Sequence, residues 1–168
     1  GEHIQIGNHR VILDSRTLAK MLDAVDVTDC ELVLDVGSGY GYSAAIIAHL
    51  AEAVVALESE DKPANEMQNA LIDHGIDNVI VERGALFSGA ASHAPYDVIF
   101  LQGGVELIPS EILTQLKEGG RIVAIFMQGS LGSVKIGYKL NNEVSWRFAF
   151  NAGAPVLDGF KKEMTFTF

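Results

Sequence analysis

Residues 32–42 read LVLDVGSGYGY, a short apolar run that contains one acid and ends in three alternating glycines. A helical pattern of small and apolar residues follows at 43–48, and a second apolar run at 53–57 ends on Glu58. This order predicts a strand, a glycine turn, a helix and a second strand that closes on a carboxylate. Such a unit holds a nucleoside, because glycines let the backbone approach the ligand and the acid takes two ribose hydroxyls.

The glycine spacing distinguishes between classes of nucleotide ligand. A dinucleotide-binding loop follows the pattern GxGxxG, whereas this chain places the bulky Tyr42 where the third glycine would allow close packing of helix and strand. A Walker loop is excluded because no Gly-Lys-Ser/Thr follows. The pattern DxGxGxG from Asp35 to Gly41 is instead typical of class I S-adenosylmethionine-dependent methyltransferases. A glycine turn in some other α/β protein remains the alternative.

Size and charge narrow the function further. The 168 residues predict one domain, 1–168, and 22 acidic against 12 basic residues give a net charge of −10. This charge repels phosphates, so we expect no nucleic-acid partner. No apolar run approaches the roughly 20 residues of a membrane span, and we expect no membrane partner and a cytoplasmic location. The single cysteine, Cys30, excludes an intramolecular disulfide. The oligomeric state stays open.

Strands and helices alternate along the chain after Glu58. The pattern predicts a helix at 62–74, a strand at 79–82, a loop at 83–95, a strand at 96–101, a helix at 110–117, a strand at 121–126, a hairpin formed by 134–140 and 144–150, and an edge strand at 164–168. Alternating strands and helices form a parallel sheet that is covered on both faces. We therefore predict an α/β fold with a doubly wound, mostly parallel Rossmann-like sheet of about seven strands and an antiparallel C-terminal hairpin.

A ligand of such a sheet binds beyond the carboxyl ends of its strands. The glycine loop, Glu58, the loop after the third strand and the residues after the fourth strand should converge there. The candidate cofactor-binding residues are Asp35, Gly37, Ser38, Gly39, Gly41, Glu58, Ser59, Gly84, Ala85, Leu86 and Gln102. No two of the five histidines share metal-ligand spacing, so no metal site is predicted, and His9 is the histidine we place nearest the cleft.

Several segments carry a family resemblance. They are IGNH at 6–9, VLDVGSGYGY at 33–42, VVALE at 54–58, PYDVI at 95–99 and LKEGGR at 116–121. Together they resemble the protein-L-isoaspartate O-methyltransferase family, and the opening segment at 6–9 and the Gly-Tyr pair after Gly39 select this family. The resemblance implies S-adenosyl-L-methionine as cofactor, S-adenosyl-L-homocysteine as product and methyl transfer to L-isoaspartyl carboxylates of damaged proteins. Such a carboxylate is ionised at pH 7, so no general base is required.

Two positions depart from the family's motifs and mark a divergent member. The family continues its opening segment with Q-T-I-S-x-P, whose Ser lies beside the transferred methyl group. Aligned without gaps from Gly7, this chain has Leu13 on the Ser position, so no catalytic residue is assigned. Ala85 replaces the acid of a G-D-G loop. A methyltransferase with a small-molecule acceptor and a non-catalytic cofactor-binding relative therefore stay open. The family's helical N-terminal section is expected to be lacking, since this chain begins almost at the motif.

Overall fold

A computed structural model describes residues 2–163 of the chain. The predicted edge strand at 164–168 lies outside the described residues. Thirteen helices and strands precede it: β1 (Ile4–Gly7), β2 (Arg10–Ile12), α1 (Ser15–Val25), β3 (Leu32–Val36), α2 (Tyr42–Leu50), β4 (Ala53–Glu58), α3 (Asp61–Asp73), β5 (Val79–Arg83), β6 (Tyr96–Val105), α4 (Ser110–Thr114), β7 (Leu116–Gln128), β8 (Leu131–Leu140) and β9 (Glu143–Asn151). No helix of residues 2–163 is long and apolar enough to cross a membrane.

A seven-stranded sheet forms the centre of the molecule, in the order β5-β4-β3-β6-β7-β8-β9. The strands from β5 to β7 are parallel, and β7, β8 and β9 follow one another as an antiparallel meander. Asn141 and Asn142 form the last turn with φ of +54° and +63°, as a tight hairpin turn requires. The predicted fold class is therefore confirmed.

The sheet separates two apolar cores. On one face, α1, α2 and α3 bury side chains such as Met21, Ile47 and Met67. On the other face, α4 and the segment after β9 bury Ile112, Leu157 and other apolar side chains. The register of the parallel strands sets Val36 beside Leu57 of β4 and Leu101 of β6. The residues that follow these three positions therefore meet at one edge of the sheet, where the ligand was expected.

Three element predictions were wrong in detail. β6 continues through residues 102–104, which were expected to follow the strand, because Gly104 pairs with β7 on one side and exchanges backbone hydrogen bonds with Pro155 and Leu157 on the other. The helix predicted at 110–117 ends at Thr114, since Leu116 already pairs with Tyr96 in the sheet. Two short 3₁₀ helices, Leu86–Ser88 and Ala91–His93, lie within the predicted loop at 83–95. The N-terminal hairpin of β1 and β2 and the helix α1 were not predicted.

Candidate active site

The glycine loop between β3 and α2 is organised by Asp35, which is fully buried. The carboxylate of Asp35 accepts hydrogen bonds from Ser38 Oγ at 2.7 Å, Ser43 Oγ at 2.6 Å and Gln102 Nε2 at 2.9 Å. Burial raises the pKa of Asp35, and these three hydrogen bonds act in the opposite direction. Asp35 thus joins the loop, α2 and β6, and its oxygens are engaged within the protein.

Gly41 is the last residue of the loop and allows α2 and α3 to pack closely. Its φ of +93° is rarely adopted by other residues, and a Cβ built on it would lie 2.6 Å from Met67 Cγ. Met67 is a buried residue of α3. Gly41 therefore lets α3 approach the start of α2, and its missing side chain faces a helix of the core.

Glu58 lies fully buried at the carboxyl end of β4, and its two oxygens are occupied by donors. Oε1 accepts the backbone N–H of Gly39 at 2.8 Å, and Oε2 accepts that of Glu60 at 2.8 Å. Arg10 donates from Nη2 to Oε1 at 2.5 Å and from Nη1 to Oε2 at 3.1 Å. Burial raises the pKa of Glu58, but the Arg10 guanidinium and the two backbone donors outweigh it, so the pKa lies below its ordinary value.

The other predicted residues surround Glu58. Ser59, Ala85 and Leu86 line a cavity of about 210 Å³ together with His9 and Arg10. The backbone N–H of Gly84 donates to the carbonyl of Glu58 at 3.2 Å. A Cβ on Gly37 would lie 3.5 Å from both Gln102 Cβ and Arg10 Nη2. The structure therefore brings the predicted segments together, and His9 lies beside them as expected.

Leu13 lies on the other side of Arg10 and presents no hydroxyl to the cleft. Its side chain is 3% exposed and packs into the core under α1. Together with Ile6 and the glycine loop it encloses a space of only about 10 Å³. The position that holds Ser in the resembling family is thus filled by a core residue here.

Sequence reasoning missed two residues of the site. Arg10 is 48 positions away from Glu58, and a lone arginine in a short polar segment gives no signal of its partner. The segment after β9 brings Asp158 to the cleft, where it lines both the cavity beside Ala85 and an adjoining one of about 690 Å³. Within residues 2–163, no three His, Cys, Asp or Glu side chains are grouped so that they could hold a metal ion.

Comparison with known proteins identifies the family of this chain. The family model of protein-L-isoaspartate(D-aspartate) O-methyltransferase matches residues 2–146. The chain belongs to this family. The match begins at the N-terminal hairpin and ends within β9, so it includes every part of the candidate site that lies before that strand.

Curated isoaspartate methyltransferases share over a third of their aligned residues with this family member. "Protein-L-isoaspartate O-methyltransferase 2" of Polaromonas sp. (strain JS666) is 38% identical over 120 residues, which cover 71% of this chain and 57% of the relative. The protein of the same name from Anaeromyxobacter sp. (strain Fw109-5) is 37% identical over 135 residues, which cover 80% and 55%. The chain thus spans about half the length of the curated relatives it matches.

Solved structures show the same fold. A protein-L-isoaspartate O-methyltransferase superposes with a TM-score of 0.82 at 25% identity, over 94% of this chain and 52% of the other. A Plasmodium falciparum protein assigned to the same family was solved with S-adenosyl-L-homocysteine and superposes with a TM-score of 0.78 at 17% identity. The second match covers 93% of this chain and 79% of the other. At 17% identity it shows a shared fold and no more.

Proposed function

We propose that this chain binds S-adenosyl-L-methionine and transfers its methyl group to carboxylates, those of L-isoaspartyl residues in damaged proteins. Membership of the isoaspartate methyltransferase family supports the reaction. The cofactor assignment rests on the position of Glu58, a buried carboxylate at the end of β4 that accepts a hydrogen bond from the backbone of the glycine loop. A protein or peptide substrate and a cytoplasmic location belong to the same proposal.

The residues of the cleft fit an adenosyl group on chemical grounds. A carboxylate with a lowered pKa stays ionised and accepts strong hydrogen bonds from two ribose hydroxyls. Ala85 and Leu86 are apolar residues in the lining of the adjacent cavity, as the border of an adenine ring requires. The fit has one condition, which is that Arg10 leaves the oxygens that the ribose requires.

In this proposal the protein contributes binding and alignment. Glu58 would hold the ribose, Ser59, Ala85 and Leu86 would border the adenine, and the backbone of residues 37–39 with Gln102 would border the amino-acid part. Bound S-adenosylmethionine supplies a methyl group on a positively charged sulfur. The acceptor carboxylate is already ionised at pH 7, so the residues of the cleft need only place its oxygen in line and exclude water.

The test of this reaction is transfer of a labelled methyl group to a matched pair of peptides, one with an isoaspartyl and one with an ordinary aspartyl residue. We expect a base-labile methyl ester on the isoaspartyl peptide only. Label on neither peptide, under conditions in which the protein binds S-adenosyl-L-homocysteine, would overturn the substrate assignment and leave the cofactor assignment standing.

Leu13 favours a second candidate function, methyl transfer to a small-molecule acceptor. The buried Leu13 side chain offers no hydroxyl to a peptide carboxylate. The small space between Leu13 and the glycine loop is lined by apolar residues on the side of Leu13. Methylation of small carboxylic acids without methylation of either peptide would identify this alternative. Cofactor binding with no transfer to any acceptor would instead identify a non-catalytic relative.

Glu58→Ala tests the cofactor site directly. Losing the charge-assisted bonds to the ribose should cost about 1.5–3 kcal/mol of binding. This corresponds to roughly tenfold to a hundredfold in Kd. Calorimetric titration with S-adenosyl-L-homocysteine measures this difference without turnover. The same titration of Glu58→Ala in an Arg10→Gln background removes the competing guanidinium, and an unchanged Kd there would remove Glu58 from the site.

A further inference from the structure

Arg10 occupies the place in the cleft that a ribose would need. Its guanidinium makes two parallel hydrogen bonds to Glu58 and lies 3.4 Å from Ser59 Oγ. The side chain of Arg10 is only 11% exposed, and that of Glu58 is not exposed at all. This pair is therefore buried in the centre of the candidate cofactor site.

The oxygens of Glu58 have no capacity for a further pair of donors. A carboxylate offers about four lone-pair positions. The backbone donors of Gly39 and Glu60 take two of them, and Arg10 takes the other two. Ribose hydroxyls can bond to Glu58 only after Arg10 has left, so the two sets of bonds exclude each other.

The hairpin that carries Arg10 also divides the cleft. Ile6 of β1 reaches to within 3.2 Å of the position that a Cβ on Gly39 would take. Three cavities border the hairpin, of about 10 Å³ beside Leu13, about 210 Å³ beside Ala85 and about 690 Å³ beside Glu60, and both Arg10 and Glu58 line the last of them. Binding pockets for ligands of this size usually measure about 300–1,000 Å³. The cavity beside Glu60 falls in this range, so the Arg10 guanidinium on Glu58, rather than a lack of room, keeps a ribose out.

The hairpin makes few side-chain hydrogen bonds to the body of the protein, although Val11 packs against the core. β1 and β2 form a two-stranded sheet of their own, which is marginally stable without further contacts. Arg10 fixes it to β4, and His3 Nε2 lies 2.7 Å from the carbonyl of Gly153 just before it. Arg10 Nε is buried without a hydrogen-bond partner among residues 2–163, and opening would return this N–H to water. The closed position is thus one that a ligand can compete against.

We propose that Arg10 is a latch that holds the β1–β2 hairpin closed over the cofactor site by taking the ribose position on Glu58. This inference rests on the proposed cofactor. Binding must break the Arg10–Glu58 pair, so the apparent Kd equals the intrinsic Kd divided by the fraction of molecules in which the latch is open. Arg10 therefore determines how tightly the chain binds its cofactor and how readily the site opens.

The test compares Arg10→Gln with the wild-type chain in calorimetric titrations with S-adenosyl-L-homocysteine. Glutamine is polar but uncharged, and its amide ends two bonds short of the Nη atoms that bind Glu58, so it loses both charge-assisted bonds. We expect Arg10→Gln to bind at least tenfold more tightly. Arg10→Lys keeps the charge without the two parallel bonds and should fall between the two. Arg147→Gln, which removes the same charge from β9, should bind like the wild type.

A second readout needs no ligand. Hydrogen exchange of the backbone amides at 4–12 should be faster in ligand-free Arg10→Gln than in the wild type, and unchanged in Arg147→Gln. Circular dichroism checks that each variant is folded. Glu58→Ala is not a substitute for this experiment, because it removes the ribose acceptor and the partner of Arg10 together.

The possible outcomes separate this inference from the proposed function. Wild type and Arg10→Gln binding equally well, or equal exchange of the hairpin amides, would overturn the latch and leave the cofactor site intact. Weaker binding by Arg10→Gln would overturn it too, since Arg10 would then support the ligand. Failure of both proteins to bind S-adenosyl-L-homocysteine at millimolar concentration would overturn the proposed cofactor, and the latch with it.

Discussion

At the scale of single residues, Glu58 shows how a fully buried carboxylate can remain charged. Its pKa is lowered despite burial, because Arg10 and two backbone N–H groups bind the ionised form. A carboxyl with a lowered pKa stabilises the fold above its unfolded pKa, and this contribution is lost as the pH falls through the folded value. The same charge that stabilises the closed hairpin at neutral pH is the one that would attract ribose hydroxyls.

Gly41 allows a prediction about packing at the glycine loop. Gly41→Ala should destabilise the fold, because a side chain at φ +93° is strained and its Cβ would clash with Met67. Gly75→Ala is the matched control, since Gly75 also has a positive φ of +66° but no atom within 4 Å of its Cβ position. The strain common to both costs about 1–2 kcal/mol. We expect Gly41→Ala to cost about 1–3 kcal/mol more, the usual penalty for overpacking a core.

Urea unfolding of the two glycine variants measures this difference. Equal free energies of unfolding would show that α3 moves aside without cost, and that the close approach of α2 and α3 is not required. Loss of S-adenosyl-L-homocysteine binding in Gly41→Ala with unchanged stability would instead place Gly41 in the ligand site.

At the scale of elements, the sequence predicted the helices and strands whose ends are marked by a strong local pattern of residues. The unit from β3 to β4 and the helix α3 lie within one or two residues of their predicted bounds, because apolar runs and glycines mark their ends. The extent of β6 could not be predicted, since Gly104 pairs with a segment some 50 residues later. The Arg10–Glu58 pair was missed for the same reason, because a contact between distant residues leaves no local pattern.

The helix α1 was not predicted, although its cap can be recognised in the structure. Asp14 precedes α1 and accepts the backbone N–H of Thr17 at 2.9 Å and the Thr17 hydroxyl at 2.8 Å. The Thr17 backbone N–H lowers the pKa of Asp14, against the effect of burial. Asp14 also lies between the end of β2 and the start of α1, so this cap fixes the position at which the hairpin joins the helix.

Asp14→Ala should destabilise the chain by about 1 kcal/mol at pH 7, the usual effect of losing a helix cap. A carboxyl whose folded pKa is lowered stabilises the fold at pH values above its unfolded pKa of 3.8. This contribution is lost as the pH falls through the folded pKa. The difference between Asp14→Ala and wild type should therefore shrink below pH 3.8. Urea unfolding at pH 7 and pH 3 measures it, with Asp14→Asn as the control that keeps the oxygen acceptor. A difference of the same size at both pH values would exclude the charge as its cause.

At the scale of the whole molecule, the sheet brings the ligand-facing segments to one edge while both its faces are covered. α1, α2 and α3 fix one face, and α4 with the segment after β9 fixes the other. The hairpin of β1 and β2 is the part that lies outside this arrangement, as a separate small sheet across the cleft. Rigid strands thus position Glu58 and Gln102, and the hairpin that carries Arg10 contributes little to the core.

The net charge of −10 predicts how peptides would approach the proposed methyl-transfer site. Repulsion should slow an acidic isoaspartyl peptide at low salt and attract a basic one. Raising the ionic strength from about 0.01 M to about 0.1 M shortens the Debye length from about 30 Å to about 10 Å. We therefore expect kcat/KM to rise several-fold for the acidic peptide, to fall for the basic peptide and to change little for a neutral one. Lys135 and Lys162 line a cavity of about 810 Å³ at the end of β7. A fall in kcat/KM for the acidic peptide as well would contradict control by the net charge and would indicate that these lysines attract the peptide. Lys135→Gln should then remove this fall.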